Sequence, residues 1–130
     1  MEIINIKTFQ RVDFIEITNE VEERIKKSSV KEGMCYLFVP HTTAALTINE
    51  NADPSVKNDI KNKINNLIPL KDNYTHGEGN SDAHIKSSLF GPSLALIISG
   101  GSLVLGTWQG IYFCEFDGPR NRKLYLKILS

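Results

Sequence analysis

Thirteen residues from His76 to Ser88, HGEGNSDAHIKSS, gather two histidines, a glutamate, an aspartate, an asparagine and a lysine around two glycines. The chain has three histidines in all, and the third, His41, stands in a second polar stretch, PHTTAALTINEN. Neutral imidazole is a good ligand for divalent ions, and three protein ligands leave a position open for water or substrate. The spacing matches no standard ligand motif. His76 and His84 are separated by two glycines and a helix start, so they converge only by folding, unlike a helical pair four apart. The same residues can instead cap helices and hydrogen-bond a polar loop with no ion present.

The loop also has the makings of an anion site. Glu78 and Asn80 flank Gly79, and glycines let backbone amides approach a ligand closely. With Ser81 starting a helix, the free amides and the positive dipole end of its first turn face this loop, and Lys86 follows one turn later. A well-capped helix after a flexible loop accounts for these residues equally well. Further on, GTWQG holds the only tryptophan, Trp108, next to Gln109. On its own, a tryptophan there closes the edge of a core more readily than it stacks on a substrate. Glu115 alternates with Ile111, Phe113 and Asp117, which puts a carboxylate on an apolar strand face where it needs a partner. Arg120 and Arg122 can be that partner or can grip phosphate, and the ion pair is the preferred reading because it needs no ligand. Asn49 and Glu50 lie near His41 in the sequence, though such residues often serve turns. No nucleophile elbow, P-loop, dinucleotide fingerprint, zinc-finger spacing or EF-hand loop is present.

The elements that must position these groups follow from periodicity. Ile3, Ile4, Ile6 and Phe9, then Val12, Phe14, Ile15 and Ile17, alternate closely enough for two strands, read as a hairpin or one bent strand turning near Gln10 and Arg11. Asn19 and Glu22 form a capping box for a short helix over NEVEERIKKS. GMCYLFVP and AALTI read as strands with His41 between them. Asp53 and Pro54 open a helix whose apolar positions, Val56, Ile60, Ile64 and Leu67, repeat until Pro69. Ser81 caps a helix from Asp82 to about Phe90, which Gly91 ends. The last third alternates apolar strands with glycine, with SGGS as a hairpin turn and DGPR as a second connection. Six to eight strands with three helices, and strands clustered at the end, predict an α+β domain with antiparallel or mixed sheets.

Size and charge narrow the classes further. A chain of 130 residues fits one domain with its own core. Lysine plus arginine equals aspartate plus glutamate at 15 each, so no net basic field draws in nucleic acid or an anionic membrane. No segment reaches the roughly 20 apolar residues of a bilayer span, and the first residues lack a signal-peptide pattern. Cys35 and Cys114 fall inside apolar runs, which predicts reduced buried thiols and a cytoplasmic, soluble protein. Asn73, Tyr74 and Thr75 match a glycosylation acceptor that matters only outside that setting.

Three stretches, PHTTAALTINENADP, HGEGNSDAHIKSSLFGPS and LGTWQGIYFCEFDGPRNR, stand together in the order and spacing of the YjbQ family, also called UPF0047, which the sequence resembles over nearly its whole length. The resemblance implies an α+β fold, one YjbQ-like domain over residues 1–130, assembly as a homotrimer, and a secondary thiamine-phosphate synthase activity. The family's polar pattern falls on His41, Asn49, Glu50 and Asp53, on His76, Glu78, Asn80, His84 and Lys86, and on Thr107, Trp108, Gln109, Glu115, Asp117, Arg120 and Arg122.

The implied reaction joins a hydroxymethylpyrimidine diphosphate to a thiazole phosphate and releases pyrophosphate. Negative charge builds on the leaving diphosphate, so cations and amide dipoles there accelerate it. On this reading His41, His76 and His84 hold a divalent ion, zinc or magnesium. Lys86, Arg120 and the amides near Asn80 take phosphate oxygens, with Asn49, Asp117 and Arg122 also on the substrate side. Trp108 and Gln109 place the heterocycle. Glu78 or Glu115 orients an exocyclic amine or acts as base, and His84 joins them as a catalytic group. Competing readings are a non-catalytic metal- or phosphometabolite-binding protein, another metal-assisted reaction on a phosphorylated small molecule, and a purely structural trimer.

Overall fold

A computed structural model describes residues 1–130. β-Branched and aromatic runs form eight strands, β1 Glu2–Lys7, β2 Asp13–Glu16, β3 Gly33–Phe38, β4 Ala44–Glu50, β5 Ser93–Ser99, β6 Ser102–Leu103, β7 Gln109–Glu115 and β8 Asn121–Leu129. Three helices interrupt them, α1 Thr18–Ser28, α2 Pro54–Leu67 and α3 Ser81–Phe90. Five strands pair in the order β1-β8-β3-β5-β6 and three in the order β2-β7-β4, every pairing antiparallel. The α+β expectation holds. None of the helices is long and apolar enough to cross a membrane.

The two sheets face each other across the main core, where Cys35, Leu37, Leu46, Ile111, Phe113, Leu124 and Leu126 meet Val21 and Ile25 of α1. β7 is buried from Gly110 to Glu115 because both of its faces are covered. Ile111 and Phe113 enter the main core, while Tyr112 and Cys114 enter a smaller cluster with Phe14, Ala45, Ala83 and Phe116 beneath α3. The three-stranded sheet is therefore a middle layer, and α2 and α3 lie on its far side.

Three local expectations change. The opening strands are no hairpin: β1 pairs with β8 in the large sheet, and β2 pairs with β7 in the small one. The chain crosses between sheets at Thr8, whose hydroxyl is tied to Glu115. Helix α1 begins at Thr18 with Ile17 as its cap residue, so Asn19 lies inside the first turn and the capping box does not form. Thr18 Oγ1 instead accepts the Ile111 N–H at 2.9 Å, and docking against β7 sets the start of the helix.

Helix α3 likewise starts one residue early: Ser81 is its first residue, Asn80 is the cap residue and no side chain caps it, so Ser81 is not the cap. The remaining elements match their sequence signals. Asp53 Oδ1 accepts the Ser55 N–H at 2.9 Å, with Pro54 in the first turn. The apolar stripe of α2 is only half buried, and Leu67 stays 67% exposed. In the β5–β6 hairpin Gly100 and Gly101 both have positive φ, 60° and 82°, as a type I′ turn demands. Phe113→Ala, at the centre of the main core, is expected to cost about 3–5 kcal/mol. Asp53→Ala removes only the α2 cap and should cost about 1 kcal/mol. Urea midpoints of the two variants test this ranking.

Candidate functional site

Glu115, the last residue of β7, is completely buried. Its Oε1 accepts from Thr8 Oγ1 at 2.7 Å and from Arg122 Nε at 2.9 Å. Its Oε2 accepts from the Asp117 N–H at 3.1 Å and from Arg122 Nη2. Arg122 Nη2 also donates to Thr43 Oγ1 at 2.8 Å. Burial works to raise the Glu115 carboxyl, but hydrogen bonds from Arg122, Thr8 and the Asp117 amide, with the charge of Arg122, outweigh it and hold the group below its ordinary value. Glu115 is thus an ionised structural anchor with no free oxygen, and the expectation that it acts as base gives way to the ion-pair reading.

Above this pair opens a cleft of about 590 Å³ lined by His41, Thr42, Thr43, Glu78, Asn80, His84, Arg120 and Arg122, among others. The β3–β4 connection contributes His41, α3 and the loop before it contribute Glu78, Asn80 and His84, the β7–β8 connection contributes Arg120 and the start of β8 contributes Arg122. Arg120 Nε donates to Asp117 O at 2.8 Å and its Nη2 to Asp117 Oδ2 at 3.0 Å, which aims an otherwise exposed guanidinium. Asn80 Nδ2 donates to the same carboxylate at 2.8 Å.

The Lys123 N–H donates to His41 Nε2 at 2.9 Å, so the neutral ring carries its proton on Nδ1. Burial, then the charge of Arg122, lowers the His41 pKa and keeps the ring neutral near pH 7. Neither ring nitrogen of His84 has a partner in the chain, and the ring stands perpendicular to that of His76 with centroids 5.4 Å apart. His76 Nε2 lies 3.8 Å from Glu78 on the exposed rim.

The structure does not bring all the expected residues together. No three His, Cys, Asp or Glu side chains converge closely enough to enclose an ion, and His41 Nε2 is already occupied, so His41, His76 and His84 do not assemble as a metal set within one chain. Lys86 is 1% exposed and binds Asp82 at 3.1 Å and Asn65 at 2.8 Å, which takes it away from any phosphate. Asn49, Trp108 and Gln109 lie at the other end of the β4–β7 ladder, where Asn49 faces Gly110 and Glu50 faces Gln109. Five strand residues separate that end from the Ala44–Glu115 pair, about 17 Å at the usual strand rise. Trp108 is 62% exposed there.

Several supporting residues carried no usable signal. Thr8 and Arg11 act on groups 107 and 71 residues away. Arg11 grips the buried Asp82 with two bonds of 3.0 Å each. Asp82 and Lys86, four apart on a helix, were the one part of this brace that spacing could have revealed.

Two antiparallel sheets with a helix pair outside the smaller one, and a polar cleft where the chain passes between sheets, define a small α+β domain of one recurring kind. The chain belongs to the UPF0047 family: the family model described as UPF0047 protein YjbQ-like matches residues 2–130. A UPF0047 protein of Methanocaldococcus jannaschii is 58% identical over 96% of this chain and 91% of its own. YugU of Bacillus subtilis is 47% identical over 100% and 99%. The crystal structure of a YjbQ/UPF0047 family protein from Clostridium acetobutylicum superimposes with a TM-score of 0.97 at 52% identity, covering 99% of this chain and 100% of that one.

Glu115→Gln leaves Arg122 buried without a counter-charge and should cost about 3–5 kcal/mol, whereas replacing both residues by methionine should cost less. Because the folded-state pKa of Glu115 is depressed, its contribution is fully present above the ordinary value of 4.5 and is lost as pH falls through the lower folded value. Thermal melts from pH 7 into acid should therefore drop more steeply for the wild type than for the double methionine variant.

Proposed function

We propose that the cleft binds the phosphates of a small phosphorylated metabolite and runs the transfer that the family resemblance implies, joining hydroxymethylpyrimidine diphosphate to thiazole phosphate. The observation that carries this reading is the meeting of Arg120, the His41 Nδ1–H and the unpartnered His84 ring around one cleft, above the floor set by Arg122. Preorganised donors of this kind stabilise the negative charge that develops on a departing diphosphate. Charge neutralisation in this scheme comes from the chain's own side chains. His84 is placed to hand a proton to the leaving oxygen, and exposed Glu78 to orient an amine.

Assembly as a homotrimer belongs to the same proposal. Ile3, Tyr36, Phe38 and Ile97 leave the outer face of the five-stranded sheet apolar and 43–55% exposed, and Phe38 stacks on Tyr125 at 6.5 Å. A second chain would cover that face, and the distant Asn49, Trp108 and Gln109 would then be free to meet a neighbour's cleft. A cytoplasmic setting fits the two buried, unpaired cysteines. A binding role without turnover is the second reading, favoured because Glu115 and Lys86 are both consumed by internal ion pairs.

The test is thiamine-phosphate formation by protein purified from a host lacking the dedicated synthase. His84→Ala is expected to lower turnover by about 10²–10⁴ while pyrophosphate affinity, read by calorimetry, survives. Equal traces in both proteins, or none in either, would sink the synthase reading, and retained pyrophosphate binding would then support the binding role. Sedimentation equilibrium should return three chains per particle for the wild type and one for Phe38→Glu.

A further inference from the structure

Beside the cationic cleft lies a second hollow of about 320 Å³, and the two share His41, Thr42, His84 and Pro92 as a common wall. Ser87 lines this hollow and is 8% exposed, yet its Oγ has no hydrogen-bond partner anywhere in the chain. Buried hydroxyls are nearly always paired, and an orphan costs stability unless something outside the chain satisfies it. On the cleft side Asn80 repeats the pattern: its Nδ2 is spent on Asp117, and its buried Oδ1 is unpaired.

Asn80, His84 and Ser87 are four and three residues apart, so they fall on one edge of α3 spanning about 10 Å. Along that edge stand an acceptor, an imidazole free at both nitrogens and a hydroxyl that both donates and accepts. Asn80 Oδ1, the His84 ring and Ser87 Oγ thus stand in succession with no partner in their own chain, and together they can serve as a recognition edge. Trp108 and Gln109 are at the far end of the sheet, so within one chain they do not reach a ring beside the cleft.

We infer that this edge of α3 reads the uncharged nitrogen ring of the ligand whose phosphates the cleft holds, with Ser87 as the specificity-determining contact. The inference rests on the phosphate-binding reading above and assigns the ring a place that the reading leaves open. The Ser87 hydroxyl is buried at the wall of the hollow, and turning it toward a ligand would break no existing hydrogen bond of its own. An exocyclic amine can be shared by Asn80 Oδ1 and Glu78, which line the same cleft, and a ring nitrogen suits the Ser87 hydroxyl.

Calorimetric titration of wild type and Ser87→Ala with inorganic pyrophosphate and with hydroxymethylpyrimidine diphosphate separates the two parts. Ser87→Ala should leave pyrophosphate affinity within about twofold and weaken the pyrimidine diphosphate about tenfold, the cost of one lost hydrogen bond to a ligand. Its Tm should not fall, because the removed hydroxyl had no partner to lose. Unchanged affinity for both probes, or an equal loss for both, would overturn the inference. If the wild type binds the two probes alike, the ring is unread and the inference fails while the cleft reading stands. If the wild type does not bind pyrophosphate, the cleft reading fails first and takes this inference with it.

Discussion

Glu115 ends the central strand of the small sheet, and Arg122 sits near the start of the strand second from the edge of the large one. The seven-residue step between them is the place where the chain leaves one sheet for the other. Thr8, on the other crossing, donates to the same carboxylate, and Thr43, just before β4, accepts from the same guanidinium. One ion pair therefore joins four points of the chain that no continuous strand connects. Removing two charges from water is costly, and only this full set of hydrogen bonds offsets the cost. Gly118 shows how tightly the crossing is drawn: a Cβ there would come within 2.2 Å of the Gln10 carbonyl.

The cleft is a consequence of that knot. Arg122 and Thr43 form its floor because they are already committed to Glu115, and Lys123, next in β8, fixes the tautomer of His41 through its amide. A second brace holds the opposite wall. Arg11 and Lys86 neutralise the buried Asp82 and pin the first turn of α3 to the β1–β2 connection and to α2. The residues free to meet a ligand stand on frames built from charges that are not, which is how a small domain keeps polar groups rigid near its surface.

Much of this was legible in the sequence, and the failures have physical causes. Strand and helix positions followed from periodicity, and the β5–β6 hairpin turn from its two glycines. The opening hairpin failed because strand signals say where strands are and not which sheet they join, and the deciding contact, Thr8 to Glu115, spans nearly the whole chain. Asn19 failed as a cap because docking of Thr18 on β7 set the helix start. The family resemblance singled out residues but not their partners: Lys86 and Glu115 have the types expected of a phosphate ligand and a base, and burial turned both into braces.

The place of β8 has a consequence for how the chain is made. This last strand lies between β1 and β3, so the large sheet has a gap next to its first strand until residues 121–129 leave the ribosome. Before then β3 presents an unpaired edge, the apolar faces of both sheets are open, and Glu115 has no Arg122. A domain without β8 would have exposed strand edges and an uncompensated charge at Glu115, the kind of species that aggregates or attracts chaperones. The large sheet of this domain therefore closes only when its last strand arrives.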